Sequence, residues 1–231
     1  MKGKSPALVL IWVLLVLPLY AAGYLSPVDT ALSSLLDSVL SPPTSALSGP
    51  LPRELALRRL VDNTTQLLRS EGNLVEHDRL MEIARIADRV GLEYRLPPSL
   101  ILSVIHSESD FDQRALSANG AIGLMQVQLE TARAFAADAG LAAPTSFRLF
   151  DPEINITFGT GYLRQLIDRF GSIRIALAAY HLGPTEIGRR LDVQEPFSDR
   201  YGREIQIRAY TITTNAPAAT MVASSAKPTQ G

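Results

Sequence analysis

Apolar positions fall along this chain in two ways, first as one unbroken block and then as a series of helical stripes. The block runs from Ala7 to Leu17 behind Lys2 and Lys4, and is followed by Pro18, Leu19, Tyr20, Ala21, Ala22 and Gly23. A short apolar run behind basic residues has the layout of an export signal, and the small residues Ala21 and Gly23 suit a cleavage site. Pro6 to Leu25 is also just long enough to cross the ~30 Å hydrocarbon layer as a helix. Residues 1–25 are therefore read as a signal peptide or membrane anchor, with cleavage and retention both open. In either case the lysines favour an N-terminus left inside, with the remainder carried across.

Residues 26–73 mix Ser, Pro and Leu around Pro42-Pro43 and contain one amphipathic stretch from Arg53 to Leu68. They read as a spacer that tethers. A compact domain is expected over 74–210. Leu80, Ile83, Ala84, Ala87 and Val90 recur at helical spacing, and Gly91 supplies a stop. Pro97-Pro98 resets the backbone, after which Leu100, Ile101, Leu102, Val104 and Ile105 predict a helix buried on most sides, with Glu108 at its far end. Further helices are expected over 130–139, closed by Gly140, and from Asp151-Pro152 to Phe170, where aspartate caps and proline suits the first turn. Gly171 and Ser172 restart the chain, and Ile173, Ala176, Leu177 and Tyr180 share a face before Gly183-Pro184. Ile205 and Ile207 fit a short strand or a helix edge equally. Residues 211–231, rich in Thr, Ala, Ser and Pro, read as a disordered tail. The fold class is mainly α.

Composition narrows the chemistry. Hydrophobic residues are 46% and charged residues 19% of the 231, enough apolar material for a core. The net charge of −1, from 22 basic and 23 acidic side chains, offers no surplus to neutralise phosphates, so nucleic acid is not an expected partner. With no cysteine there is no disulfide, thiol nucleophile or thiolate metal site. His77, His106 and His181 lack zinc-helix spacing, and no nucleotide loop is present, so neither metal nor cofactor is expected.

Glu108 is the residue on which chemistry converges. A carboxyl at the end of an apolar helix can be kept protonated by desolvation, as a general acid requires, although many helix-end glutamates are merely solvated. Its neighbours are specific. Ser107-Glu108-Ser109-Asp110-Phe111 precedes Ser117-Ala118-Asn119-Gly120-Ala121-Ile122-Gly123-Leu124-Met125-Gln126-Val127. Ala179-Tyr180-His181-Leu182-Gly183-Pro184 follows downstream, and Asn155-Ile156 with Gly159, Gly161, Tyr162 and Leu163 lies between. Together these resemble the motifs of the soluble-lytic-transglycosylase family, over roughly Leu80 to Leu191.

That resemblance implies a lysozyme-like helical catalytic domain acting on the glycan strands of bacterial peptidoglycan. Glu108 would be its single catalytic acid and base, with Ser117, Met125, Gln126, Tyr180 and His181 contacting substrate. Glu108 would protonate the leaving oxygen of the MurNAc-GlcNAc β-1,4 bond while the N-acetyl group assists, then take the proton of the same sugar's 6-hydroxyl to leave a 1,6-anhydro end. No water is consumed, so the second carboxylate of an ordinary glycosidase is not needed. The nearest candidates for one, Asp110 and Asp112, suit turn capping or solvent instead. Ser117 could equally close a turn, Met125 fill core and Tyr180 pack as a core aromatic. His181 and Leu182 replace the family's asparagine and alanine, which keeps two alternatives in view: a non-catalytic peptidoglycan-binding or assembly protein, and a hydrolase of the same fold. The resemblance also implies a periplasmic or cell-envelope location, with membrane contact if the first segment is retained, and compatibility with envelope-spanning machinery.

Overall fold

The computed structural model describes residues 50–216. The apolar segment of residues 1–25, the spacer up to residue 49 and the tail from residue 217 lie outside the described residues. No helix among those described is long and apolar enough to cross a membrane.

Eight helices and one minimal hairpin follow in order among the described residues. They are α1 (Pro50–Ser70), α2 (His77–Tyr94), α3 (Pro98–Ser109), β1 (Ala121–Ile122), β2 (Val127–Gln128), α4 (Leu129–Ala139), a 3-10 turn (Phe147–Phe150), α5 (Pro152–Phe170), α6 (Ile173–Leu182), α7 (Pro184–Asp192) and α8 (Arg200–Thr214). The centre is α3, whose residues Ser99 to His106 are all buried. Of its three buried polar side chains, Ser99, Ser103 and His106, the most enclosed turns inward on its own helix, Ser103 Oγ donating to the Ser99 carbonyl at 2.7 Å. Around it pack α2 and α8, while α5 packs on α2, α4 and α6, and α6 on α8.

The largest departure from expectation is α1. Leu57, Val61, Thr64 and Leu68 form one buried stripe at helical spacing, joined to the same core as α2 and α8. Each such apolar side chain contributes about 1.5–3 kcal/mol on burial, so this part of the expected spacer belongs to the domain. Asn63 fixes it further, donating from Nδ2 to the Ile212 carbonyl at 2.8 Å.

Other boundaries shift for local reasons. Gly91 lies inside α2, which ends at Arg95 in the left-handed conformation. A Cβ on Gly91 would meet the Leu96 carbonyl oxygen at 2.4 Å, so glycine there serves close passage of the returning chain and not termination. Ile205 and Ile207 lie in α8, which continues to Thr214, past the expected start of the tail. Pro184 opens α7 at its first turn, where its missing N–H has no partner to lose. Asp151 caps α5 as expected, its side chain accepting from the Glu153 and Ile154 N–H groups.

Candidate active site

The last turn of α3 carries Glu108 into a half-buried position. Tyr201, in the first turn of α8, donates its phenolic hydrogen to Glu108 Oε1. On the far side of Tyr201 the His181 ring stacks nearly parallel, with centroids 4.5 Å apart and planes at 10°. Burial pushes the Glu108 carboxyl above its ordinary range, and the Tyr201 bond and the His181 charge pull back against that. Burial is the largest of the three, so the site favours the proton-bearing form. Tyr180 and Tyr201 are both raised, by burial first and by the charge of Glu108 second. One carboxyl and two un-ionised phenols therefore share this cleft.

The opposite wall is the loop from Ser117 to Gln126, and it is tied to α3 and α5 from both ends. Ser109, next to Glu108, donates to the Leu124 carbonyl at 2.8 Å. Asn155 of α5, 1% exposed, makes three bonds: it accepts from the Met125 N–H at 2.7 Å and donates to the carbonyls of Ile122 and Leu149 at 2.8 and 2.7 Å. Gly123 takes φ 74, and a Cβ on it would sit 2.5 Å from Asn155 Nδ2, so both conformation and proximity require glycine. The hairpin β1–β2, with Ala121 opposite Gln128 and Ile122 opposite Val127, closes the loop and was not foreseen from the sequence.

The residues expected to contact substrate divide by position. Tyr180 Oη donates to the Met125 carbonyl at 2.7 Å, joining α6 to the loop beside Glu108. His181 is exposed at the rim. Gln126 is held at φ 48, with Nε2 donating to the Gly123 carbonyl at 3.0 Å, so its amide nitrogen is committed to the loop and its oxygen is not. Met125 points inward: its side chain is wholly buried against Gly159 and Thr160, and only its main chain reaches the cleft wall. Ser117 closes a turn, its Oγ accepting from the Ala121 N–H at 3.0 Å. For these two, core filling and turn closure are what the geometry displays.

Asp110 and Asp112 are both engaged away from Glu108. Asp110 accepts from Asn73 Nδ2 at 3.1 Å, and Asp112 accepts from the Arg114 N–H at 2.8 Å. Sequence reasoning missed Tyr201 and the buried role of Asn155. Asn155 stood inside a quoted motif, but Tyr201 lies 93 positions from Glu108 in a segment without a recognised pattern.

Comparison with known proteins identifies the family. The family model described as "Transglycosylase SLT domain" matches residues 86–201, which include Glu108, Asn155, Tyr180 and Tyr201. A protein named "Transglycosylase" from Enterobacteria phage PRD1 is 35% identical over 94 residues, 41% of this chain and 32% of that protein. "Membrane-bound lytic murein transglycosylase C" of Edwardsiella ictaluri is 35% identical over 118 residues, 50% of this chain and 32% of the relative. The aligned region thus spans about a third of these relatives' length. Among solved structures, an inactive mutant of lytic transglycosylase Slt from Pseudomonas aeruginosa aligns with TM-score 0.50 and 28% identity, covering 57% of this chain and 24% of that one. The 70 kDa soluble lytic transglycosylase of Escherichia coli aligns with TM-score 0.52 and 22% identity, over 81% and 33%, which is a likeness of fold. With its Glu108-turn, loop and α5–α6 motifs all inside the matched region, the chain belongs to the Transglycosylase SLT domain family.

Proposed function

We propose that this protein is a lytic transglycosylase that cleaves the MurNAc-GlcNAc bond of peptidoglycan without water, using Glu108 first as acid and then as base. The observation that carries the reading is the state of the Glu108 carboxyl: half-buried, raised by desolvation, and held by the Tyr201 phenol beside a rigid loop. A raised pKa keeps the proton on the acid until the glycosidic oxygen is in reach. Once the bond breaks, the resulting carboxylate accepts the 6-hydroxyl proton of the same sugar, and the Tyr201 hydrogen bond stabilises the charge in the interval. The commitment of Asp110 and Asp112 to other partners favours this one-carboxyl route over hydrolysis, which needs a second carboxylate across the sugar. Gln126, through its free amide oxygen, and Tyr180 and His181 at the wall would orient the glycan; Ser117 and Met125 would act by shaping the loop. The names of membrane-bound relatives and the apolar N-terminal segment support an exported, envelope-facing site of action.

Mass spectrometry of isolated peptidoglycan treated with wild type and Glu108→Gln tests the proposal. Anhydro-muropeptides from the wild type alone are expected. Products heavier by one water would assign a hydrolase, and strand binding without any product would refute catalysis.

A further inference from the structure

Directly behind the Glu108 turn lies a set of charged side chains that take no part in the proposed reaction. The His106 ring is 4% exposed. Its Nε2 lies 2.9 Å from Glu71 Oε2 and 3.3 Å from Asp110 Oδ1. Glu71 belongs to the turn between α1 and α2, as does Asn73, which donates to the same Asp110 oxygen at 3.1 Å. From α8, Arg208 donates Nη1 to Ser107 Oγ at 2.6 Å, and its Nε lies 3.7 Å from Glu71 Oε1. One carboxylate from the α1–α2 turn therefore reaches both residues that precede Glu108, His106 directly and Ser107 through Arg208.

The backbone that follows Glu108 needs such support. Asp110 and Phe111, neither of them glycine, stand in succession at φ 50 and φ 66. For side chains with a Cβ each costs about 1–2 kcal/mol, and such a conformation persists only where the surroundings impose it. Phe111 is fixed by burial and by stacking on His106, with centroids 6.0 Å apart. Asp110 is fixed by Asn73 and His106. Of the two side chains that hold this strained reversal, Asn73 comes from a turn 37 positions upstream of Asp110, and His106 is itself held by Glu71 of the same turn.

We propose that Glu71, assisted by Asn73, is a positioning residue for Glu108: it clamps His106 and Arg208 from behind, so that the α1–α2 turn sets the direction in which the catalytic carboxyl leaves α3. This rests on the transglycosylase reading for its effect on turnover, but not for its effect on the turn itself. The α1–α2 turn, which falls within the expected spacer of residues 26–73, is thereby part of the catalytic architecture. A carboxylate is required at this place because it must satisfy an imidazole N–H and a guanidinium together; an amide has one oxygen to offer and no charge to balance Arg208.

The full chain carries the test. Glu71→Ala is expected to lower kcat on isolated peptidoglycan about tenfold with KM changed by less than about twofold, since misplacing a reacting group by an ångström or less has effects of this size. Glu71→Gln, keeping one acceptor for His106, should recover part of that loss. In parallel, amide exchange in the peptide covering residues 105–110 should accelerate about tenfold or more in Glu71→Ala while that of residues 98–104 stays at the wild-type rate. Turnover of Glu71→Ala within about twofold of an active wild type would overturn the positioning role and leave the transglycosylase reading standing. Uniform acceleration over both peptides would assign Glu71 to general stability and overturn it as well. If the wild type itself shows no turnover, the proposed function fails, and exchange alone decides Glu71: unchanged protection of residues 105–110 rejects it, selective loss supports it.

Discussion

Replacing Asn155 tests how the loop opposite Glu108 is held. Its side chain satisfies three backbone groups, the Met125 N–H and the carbonyls of Ile122 and Leu149, at 2.7–2.8 Å and 1% exposure. An unsatisfied buried group costs about 1–3 kcal/mol. A water entering the space left by Asn155→Ala would repair part of the damage, so a net loss of about 3–5 kcal/mol is expected. A domain with ~5–15 kcal/mol of stability can remain folded after that. Asn155→Asp makes a sharper case. It keeps the acceptor for Met125 but sets a buried carboxylate against two carbonyl oxygens, so its ionised form is disfavoured and its pKa should rise. Stability should then be greatest at low pH, where the neutral acid donates one hydrogen bond, and fall as pH rises through the shifted value. Urea denaturation should rank wild type over Ala over Asp at pH 7, with Asp recovering toward Ala or beyond near pH 4. A loss below about 1 kcal/mol for Ala, or an Asp variant indifferent to pH, would refute the clamp. Because Met125 also provides the carbonyl that receives the Tyr180 phenol, turnover should fall about tenfold under conditions where Asn155→Ala is still folded.

Four further outcomes follow from the same geometry. Glu108→Gln should be more stable than wild type at pH 7 and equal to it near pH 3: the raised carboxyl contributes fully below the ordinary carboxylate range and loses that contribution as pH climbs through its folded value, whereas the amide does not titrate; equal midpoints at both pH values would contradict the desolvation account. Tyr201→Phe removes the hydrogen bond that lowers the Glu108 pKa, so the alkaline limb of kcat/KM should move upward while the rate falls about tenfold; a downward shift would be incompatible. Gly161→Ala should destabilise by about 1–3 kcal/mol in spite of better helix propensity, because its Cβ would lie 2.2 Å from Phe135 Cζ; any stabilisation in denaturant would show that α4 and α5 are looser than described. Leu68→Ala, 2% exposed in α1, should cost about 2–4 kcal/mol where a linker residue would cost almost nothing, as read by the urea midpoint.

Periodicity made most of the helices legible, for a physical reason visible in α3 and α5. Both are bounded by residues whose preferences are local, Pro98 at the start of one and the Asp151-Pro152 cap and Gly171 stop of the other. The amphipathic stretch in α1 was visible too, yet its docking was not. A stripe of Leu57, Val61, Thr64 and Leu68 states that something will be covered, but not by what; here the cover is α2 and α8, the latter some 150 positions away. Gly91 misled in the opposite sense, because a glycine demanded by close passage of Leu96 looks in sequence like one demanded by a helix end.

The site divides along the same line. Glu108, the glycines of the loop and Tyr180 were legible because they stand in dense motifs, where spacing alone fixes relative position. Tyr201 was not, since its bond to Glu108 depends on the angle at which α8 crosses α3, and that angle is set by packing among α1, α3 and α6. The replacement of asparagine by histidine at position 181 takes on meaning only with Tyr201 in view. An imidazole lying flat on the phenol, 4.5 Å away, restrains the donor that holds the Glu108 carboxyl and places a second influence on that carboxyl's proton affinity. What looked like a departure from a motif therefore has a local structural use: an aromatic ring packs flat on Tyr201 at a position where the motif carries an amide.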